Sequence, residues 1–159
     1  MAERKLITGP TFEEMLHPHL LDPSTRKKAN EARTTAPMDP VNLFNITWRD
    51  TDNQIYYFVL PSELTGVDTP IVVLYGARFP TGSHKVGATY SVLLEKELFG
   101  DVDPAVHTLV WPSTGNYGFG GAYVSGLMDC KAIVILPEEM SKERFEKIEG
   151  YGAQVIKTP

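Results

Sequence analysis

The chain has 159 residues, which is enough for one ordinary globular domain and few for two. Hydrophobic residues make up 42% and charged residues 22%, the balance of a folded protein with a buried core. The formal net charge of −5 argues against sequence-independent nucleic-acid binding, which needs a surplus of cations. No apolar run approaches the roughly 20 residues that span a bilayer, and the charged start precedes no signal-peptide core. We therefore predict a soluble, cytoplasmic α/β protein with no nucleic-acid or membrane partner.

The first part of the chain, residues 1–53, is polar and interrupted by five prolines. Short helices are predicted over 11–16 and 23–32, and the second begins at Asp22-Pro23, a common helix start. A floppy tail is the simpler interpretation of this segment, and an arm wrapped over another surface is the alternative.

Beyond residue 69, strand-like and helix-like segments alternate. Short runs rich in β-branched residues predict buried strands at 71–76, 107–111, 132–136 and 154–157. Helices are predicted at about 84–99, 117–128 and 141–150. This alternation predicts an α/β fold in which a parallel sheet, joined by right-handed crossovers, is flanked by helices.

Two loops between a strand and a helix are rich in glycine and hydroxyl residues, at 79–85 and 112–118. In an open parallel sheet, binding sites lie where strands end and helices begin, and helix N-termini stabilise anions. Lys85 falls in the first turn of a predicted helix, where a cation is normally disfavoured. A desolvated lysine amine in positive potential is a competent nucleophile, so Lys85 is a candidate catalytic residue.

Two nucleotide-binding interpretations of these loops are weaker. The first loop carries Ser83-His84 where a phosphate-binding Walker loop needs Lys followed by Ser or Thr. The turn from Gly115 to Gly121, with Glu138 after the next strand, has some features of a dinucleotide-binding turn. Tyr123 occupies the place of its third small residue, so an NAD-type domain is kept only as an alternative.

Several other residues have ordinary structural interpretations. Three histidines have no Cys or His partner at ligand spacing, so no metal site is predicted: His17, His19 and His107. Cys130 is expected to be a buried thiol. An aromatic cluster is assigned to the core: Trp48, Tyr56, Tyr57 and Phe58. Arg78 and Glu95 are taken as solvated charges.

The two loops together resemble a known family. Pro80-Thr81-Gly82-Ser83-His84-Lys85 resembles the lysine motif of fold-type II pyridoxal-phosphate enzymes, such as cysteine synthase, cystathionine β-synthase, threonine synthase and the tryptophan synthase β chain. The stretch from Ser113 to Gly118 resembles the asparagine loop of the same family. The resemblance extends over roughly residues 60–159, with the two motifs in the family's order.

The resemblance implies a role for each motif residue. Lys85 would bind pyridoxal 5'-phosphate covalently and act as general base at the substrate Cα. Asn116 would donate a hydrogen bond to the phenolic oxygen of the cofactor, and His84 would face its phosphate. The substrate carboxylate would be bound by Ser113, Thr114, Gly115 and Tyr117.

The sequence also departs from the family's pattern. Val86-Gly87 replaces the Asp-Arg that follows the lysine in cysteine synthases, and Trp111 stands where tryptophan synthase β chains carry a catalytic glutamate. In the family, the phosphate-binding cup and the partner of the pyridine nitrogen come later than Pro159. The resemblance therefore predicts a tryptophan synthase β-like fold that is incomplete in this chain.

The resulting hypothesis is a pyridoxal-phosphate lyase or transferase that acts on a small amino acid by β-elimination, β-replacement or a related thiolase step. We expect an N-terminal arm (1–53), a segment of the lysine-bearing large domain (54–100) and a segment of the small domain (101–159). The last segment carries the carboxylate loop, which runs from Ser113 to Gly118. The rest of the polypeptide or a second chain would complete the site, and a homo-oligomer is expected. A non-catalytic domain with the same fold is the second alternative.

Overall fold

The computed structural model describes residues 7 and 9–159. The helices are α1 (Phe12–Leu16), α2 (Pro23–Thr35), α3 (Ser62–Thr65), α4 (Lys85–Leu98), α5 (Asn116–Leu127) and α6 (Lys142–Gly150). The strands are β1 (Tyr57–Leu60), β2 (Ile71–Leu74), β3 (Thr108–Pro112), β4 (Lys131–Pro137) and β5 (Gln154–Thr158). Short 3₁₀ turns lie at Pro18–Leu20, Pro40–Asn45 and Gly76–Arg78. No helix in the described part of the chain is both long and apolar enough to cross a membrane.

The second half confirms the predicted parallel sheet. Strands β3, β4 and β5 are parallel neighbours in that order, with Trp111 opposite Val134 and Val134 opposite Val155. The side chains of β4 alternate, and its buried residues Ala132, Val134 and Leu136 pack with residues of α5 and α6. Because both crossover helices cover one face, the apolar side chains on the other face are left open to solvent. Val110 is 52% exposed and Ile156 is 41% exposed.

The strand predicted near residue 71 is present, but the prediction that it is buried in the parallel sheet is wrong. Strand β2 pairs antiparallel with β1 in a separate two-stranded sheet, with Val59 opposite Val72. Most of the residues in this sheet are exposed. A β-branched run indicates an extended backbone, but it does not reveal whether anything packs on that backbone.

The aromatic cluster assigned to the core is exposed as well. The exposed fractions are 38% for Trp48, 42% for Tyr56, 61% for Tyr57 and 49% for Phe58. Composition alone suggested burial, whereas the described residues leave these rings at the surface.

The N-terminal segment is folded against the rest of the molecule, so the interpretation as a floppy tail is wrong. Helix α2 begins with Pro23 at its first position and Asp22 as its cap, as predicted. Two buried residues of the segment, Leu43 and Ile46, join the core that surrounds α4 and α5. The hydroxyl of Tyr90 donates to the carbonyl of Pro10 at 2.8 Å, and that of Tyr123 to Pro37 at 2.8 Å.

Candidate functional site

The lysine loop, residues 79–85, runs from a 3₁₀ turn into α4. Gly82 has φ +75°, a left-handed conformation that suits glycine, and its N–H donates to the carbonyl of Phe79 at 2.7 Å. The Lys85 N–H donates to Ser83 Oγ at 3.3 Å, and Lys85 is the first residue of α4. The loop therefore presents Lys85 at a helix N-terminus, as the sequence predicts.

The surroundings of Lys85 differ from the expected ones. Its side chain is exposed, so the described residues do not bury the amine. His84 is also exposed, and its ring stacks on the indole of Trp48 with centroids 5.5 Å apart.

The carboxylate loop, residues 113–118, leads from β3 into α5. The Gly115 N–H donates to Ser113 Oγ at 3.3 Å, and the Gly115 carbonyl accepts from the N–H groups of Gly118 and Phe119. Helix α5 has no side-chain cap, and no acceptor in the described part of the chain binds the N–H groups of Asn116 and Tyr117. These free donors at a helix N-terminus are suited to an anion such as a carboxylate.

A residue that the sequence analysis missed steadies this loop. Arg144, from α6, donates through Nη1 to the carbonyl of Thr114 at 2.6 Å. Its guanidinium also lies 5.1 Å from the ring centre of Phe119. Arg144 is separated from Thr114 by 30 residues, and no local pattern in the sequence predicts this contact.

Close packing of α5 on α4 brings the two loops together. A Cβ on Gly120 would lie 3.1 Å from both the carbonyl carbon and the carbonyl oxygen of Lys85. Gly120 follows Asn116 by about one helical turn. The backbone of Lys85, at the start of α4, therefore packs against α5 one helical turn beyond Asn116.

The same packing removes the dinucleotide-binding alternative. Gly118, Gly120 and Gly121 are buried inside α5 rather than placed in a turn that a pyrophosphate can approach. Each of them faces protein: Gly118 the Ser113 carbonyl, Gly120 the Lys85 backbone and Gly121 the indole of Trp111. These glycines serve close contact between helices, strand and loop.

A second set of missed residues lies beside the lysine loop. Arg78, predicted to be a solvated charge, pairs with Asp50 at 3.6 Å and lies 3.3 Å from the ring centre of Tyr56. The Tyr56 hydroxyl donates to Asp50 at 3.0 Å. The aromatic and charged residues at 48–56 could have indicated a cluster of interacting side chains, but sequence alone does not show that they contact Arg78.

An open, largely apolar groove of about 610 Å³ adjoins the lysine loop. Its lining comes from α1, from residues 46–49 and from the first turns of α4, and it includes Trp48 and His84. The structure thus places an apolar surface next to the N-terminus of α4.

His17 and Cys130 both lie beside a glutamate side chain. His17 lies 3.6 Å from Glu13, and Cys130 is buried with its thiol 3.3 Å from a Glu97 carboxylate oxygen. The expectation of a buried thiol is confirmed. Among the residues that the structure describes, no group of three His, Cys, Asp or Glu side chains is arranged to hold a metal ion.

Known proteins include similar sequences. The chain is 36% identical over 100 residues to cystathionine beta-synthase of Saccharomyces cerevisiae, covering 63% of this chain and 20% of that protein. It is 38% identical over 80 residues to a probable cysteine synthase of Bacillus subtilis, covering 50% and 25%. The chain thus spans a fifth to a quarter of the length of these relatives.

Solved structures show the same fold. An O-acetylserine dependent cystathionine beta-synthase from Helicobacter pylori matches 65% of this chain and 34% of its own, with TM-score 0.60 and 25% identity. An O-ureido-L-serine synthase matches 57% and 28%, with TM-score 0.53 and 28% identity. The family described as pyridoxal-phosphate dependent enzyme matches residues 60–159, which include both loops. The chain therefore belongs to the family of pyridoxal-phosphate dependent enzymes.

Proposed function

We propose that this chain forms part of an enzyme that uses pyridoxal 5'-phosphate to carry out β-elimination or β-replacement on a small amino acid. The observation that supports the proposal is the close contact between the Lys85 backbone, at the start of α4, and Gly120 of α5, one helical turn beyond Asn116. The similar proteins are named as synthases of amino acids, namely cysteine, cystathionine and O-ureido-L-serine.

The residues present fit an anionic cofactor and an amino-acid substrate. The start of α4 packs against α5 near its N-terminus, and the N–H groups of Asn116 and Tyr117 are available to an anion. A Cβ on Gly82 or Gly115 would meet no atom within 4 Å, so both loops border open space. A lysine amine, an asparagine amide and uncapped helix N–H groups make a donor set suited to a phosphorylated aldehyde and a carboxylate.

When bound, pyridoxal phosphate supplies an electron sink for the bonds at the substrate Cα. In this proposal Lys85 holds the cofactor through its amine and then takes and returns the proton at that carbon. Asn116 orients the cofactor ring through its side-chain amide. The free backbone N–H groups of Asn116 and Tyr117, with the hydroxyls of Ser113 and Thr114, bind the substrate carboxylate beside Gly115.

His84 remains a proposed cofactor-binding residue, although its ring is stacked on Trp48. Stacking involves the face of the imidazole ring, so its ring nitrogens can still donate to a phosphate oxygen.

The open apolar surfaces support a further part of the proposal. The uncovered face of the parallel sheet and the exposed sheet of β1 and β2 are apolar, and parallel sheets are normally covered on both faces. We propose that further residues, from the same polypeptide or from a second chain, cover these surfaces and supply the remaining cofactor contacts.

The test measures the reaction products formed by the full-length native protein that contains these residues. Supplied with pyridoxal phosphate and β-chloroalanine, it should release a 2-oxo acid, and a thiol added in excess should divert the product to a thioether amino acid. Lys85→Ala should abolish both reactions. Lys96→Ala, an exposed lysine in the last turn of the same helix, is the matched control and should leave them unchanged. Turnover by the Lys85→Ala protein would contradict the proposal.

A further inference from the structure

The lysine loop depends on a segment that lies outside the family match. The match begins at residue 60, whereas Trp48 contacts both ends of the loop. Its indole meets the ring of Phe79 edge-on with centroids 5.0 Å apart, and it stacks on His84 at 5.5 Å with the planes 23° apart. One side chain thus touches the first residue of the loop and the residue immediately before Lys85.

An ion pair fixes the entrance to the same loop. Asp50, whose side chain is 11% exposed, pairs with Arg78 at 3.6 Å. Asp50 also accepts from the backbone N–H of Gln54 at 2.9 Å and from the Tyr56 hydroxyl at 3.0 Å. The residues around Asp50 that hold Arg78 are therefore themselves ordered by hydrogen bonds.

A third contact reaches the helix beyond the lysine. A Cβ on Gly87 would lie 3.0 Å from the carbonyl oxygen of Ile46, so the first turn of α4 packs directly on the backbone of this segment. Residues 46–56 consequently touch the chain before, within and after the lysine loop.

Among the described residues, backbone hydrogen bonds do not tie the loop to the rest of the fold, so its orientation depends on side-chain packing, in which the buried Phe79 joins the core with Leu43 and Ile46. Within the described part of the chain, none of the backbone hydrogen bonds of residues 80–84 reaches another helix or strand. The Gly82 N–H donates to Phe79, and Ser83 and His84 accept from N–H groups in the first turn of α4, so these bonds are all local. Local bonds define a turn, but they do not set its orientation relative to the rest of the site.

We propose that residues 46–56 are the support that sets the position of the Lys85 amine, with Trp48 as its central positioning residue. Trp48 acts through Phe79 and His84 and does not itself contact the reacting atoms. The inference rests on the proposed function, because the position of Lys85 has consequences only if Lys85 binds the cofactor.

The experiment compares Trp48→Ala with Trp48→Phe, which keeps an aromatic ring in the same place. Tyr57→Ala is the matched control, because Tyr57 is a neighbouring aromatic residue that is 61% exposed and has no ring contact with the loop. The full-length native protein is incubated with limiting pyridoxal phosphate and reduced with borohydride, and the labelled fraction of Lys85 is measured by mass spectrometry. Loss of two aromatic pairs should lower that fraction about tenfold in Trp48→Ala. Trp48→Phe should stay within about twofold of the unsubstituted protein, and Tyr57→Ala should match it.

A second readout needs no cofactor. Amide hydrogen exchange in residues 80–84 should become faster in Trp48→Ala and stay unchanged in Trp48→Phe and Tyr57→Ala. If Trp48→Ala does not fold, Trp48→Leu, which keeps apolar volume without a ring, gives the same comparison. Unchanged exchange and unchanged labelling in the variant without the ring would refute the proposal that Trp48 positions the lysine loop. Failure of the unsubstituted protein to label at Lys85 would instead refute the proposed function, and the exchange rates would still decide the role of Trp48.

Discussion

Substitution of Gly120 by alanine tests the contact between α4 and α5 that assembles the site. The added methyl group would lie 2.9 Å from Thr89 Oγ1 and 3.1 Å from the backbone carbonyl of Lys85. Thr89 cannot turn away without cost, because its hydroxyl donates to the carbonyl of Val86 at 3.0 Å. The two helices must therefore separate by a few tenths of an ångström, and Lys85 must move relative to Asn116.

The magnitude follows from two opposing effects. Overpacking of this kind costs about 1–3 kcal/mol. Alanine is favoured over glycine inside a helix by about 1 kcal/mol, which offsets part of that cost. Gly150, the last residue of α6, is the matched control because a Cβ there would meet nothing within 4 Å.

The assay is urea unfolding of both variants together with borohydride labelling of Lys85. Gly120→Ala should be less stable than Gly150→Ala by up to the overpacking cost of about 1–3 kcal/mol, because the propensity gain of alanine inside α5 offsets part of that cost. It should also label less at limiting cofactor, whereas Gly150→Ala should label normally. Equal stability and equal labelling of the two variants would refute the close-packing argument.

Two further perturbations test the carboxylate loop and the buried tyrosines. Arg144→Ala removes a charge-assisted hydrogen bond to the Thr114 carbonyl and should weaken substrate binding by about 1 kcal/mol, or roughly fivefold, in calorimetry. Lys142→Ala, on the same helix and paired with Glu146 at 3.1 Å, should leave the affinity unchanged, and equal effects of the two would contradict the role of Arg144. Burial raises the pKa of Tyr90, Tyr123 and Tyr151 above the ordinary value of 10.0. Because the folded state holds these protons more tightly than the unfolded state, stability should be full below pH 10 and fall as the pH rises above it. Urea unfolding from pH 8 to 11 should show this loss, with a shallower decline in Tyr123→Phe, and a flat profile would contradict it.

The sequence predicted the elements that local patterns determine. Helices α4, α5 and α6 and strands β3, β4 and β5 lie within one or two residues of their expected positions, because apolar periodicity and loop chemistry specify them locally. The start of α2 at Asp22-Pro23 was predictable for the same reason. Both loops of the candidate site were found through their residues and the family that they resemble.

Features that depend on distant contacts were not predictable. Trp48 meets the lysine loop, and Asp50 meets Arg78 just before it, across about 30 residues, and Tyr123 reaches Pro37 across 86. The glycines of α5 have the composition of a turn, but in the folded chain their missing side chains admit Lys85, Trp111 and Ser113. Exposure of β2 and of Lys85 likewise depends on what packs against them, which a one-dimensional pattern does not encode.

Peptide mapping after borohydride reduction in the presence of pyridoxal phosphate tests the central claim most directly. The account predicts one pyridoxyl label, on Lys85, which is lost in Lys85→Ala and retained in Lys96→Ala. Labelling spread over exposed lysines such as Lys96 and Lys131, or no label on Lys85 at saturating cofactor, would contradict it.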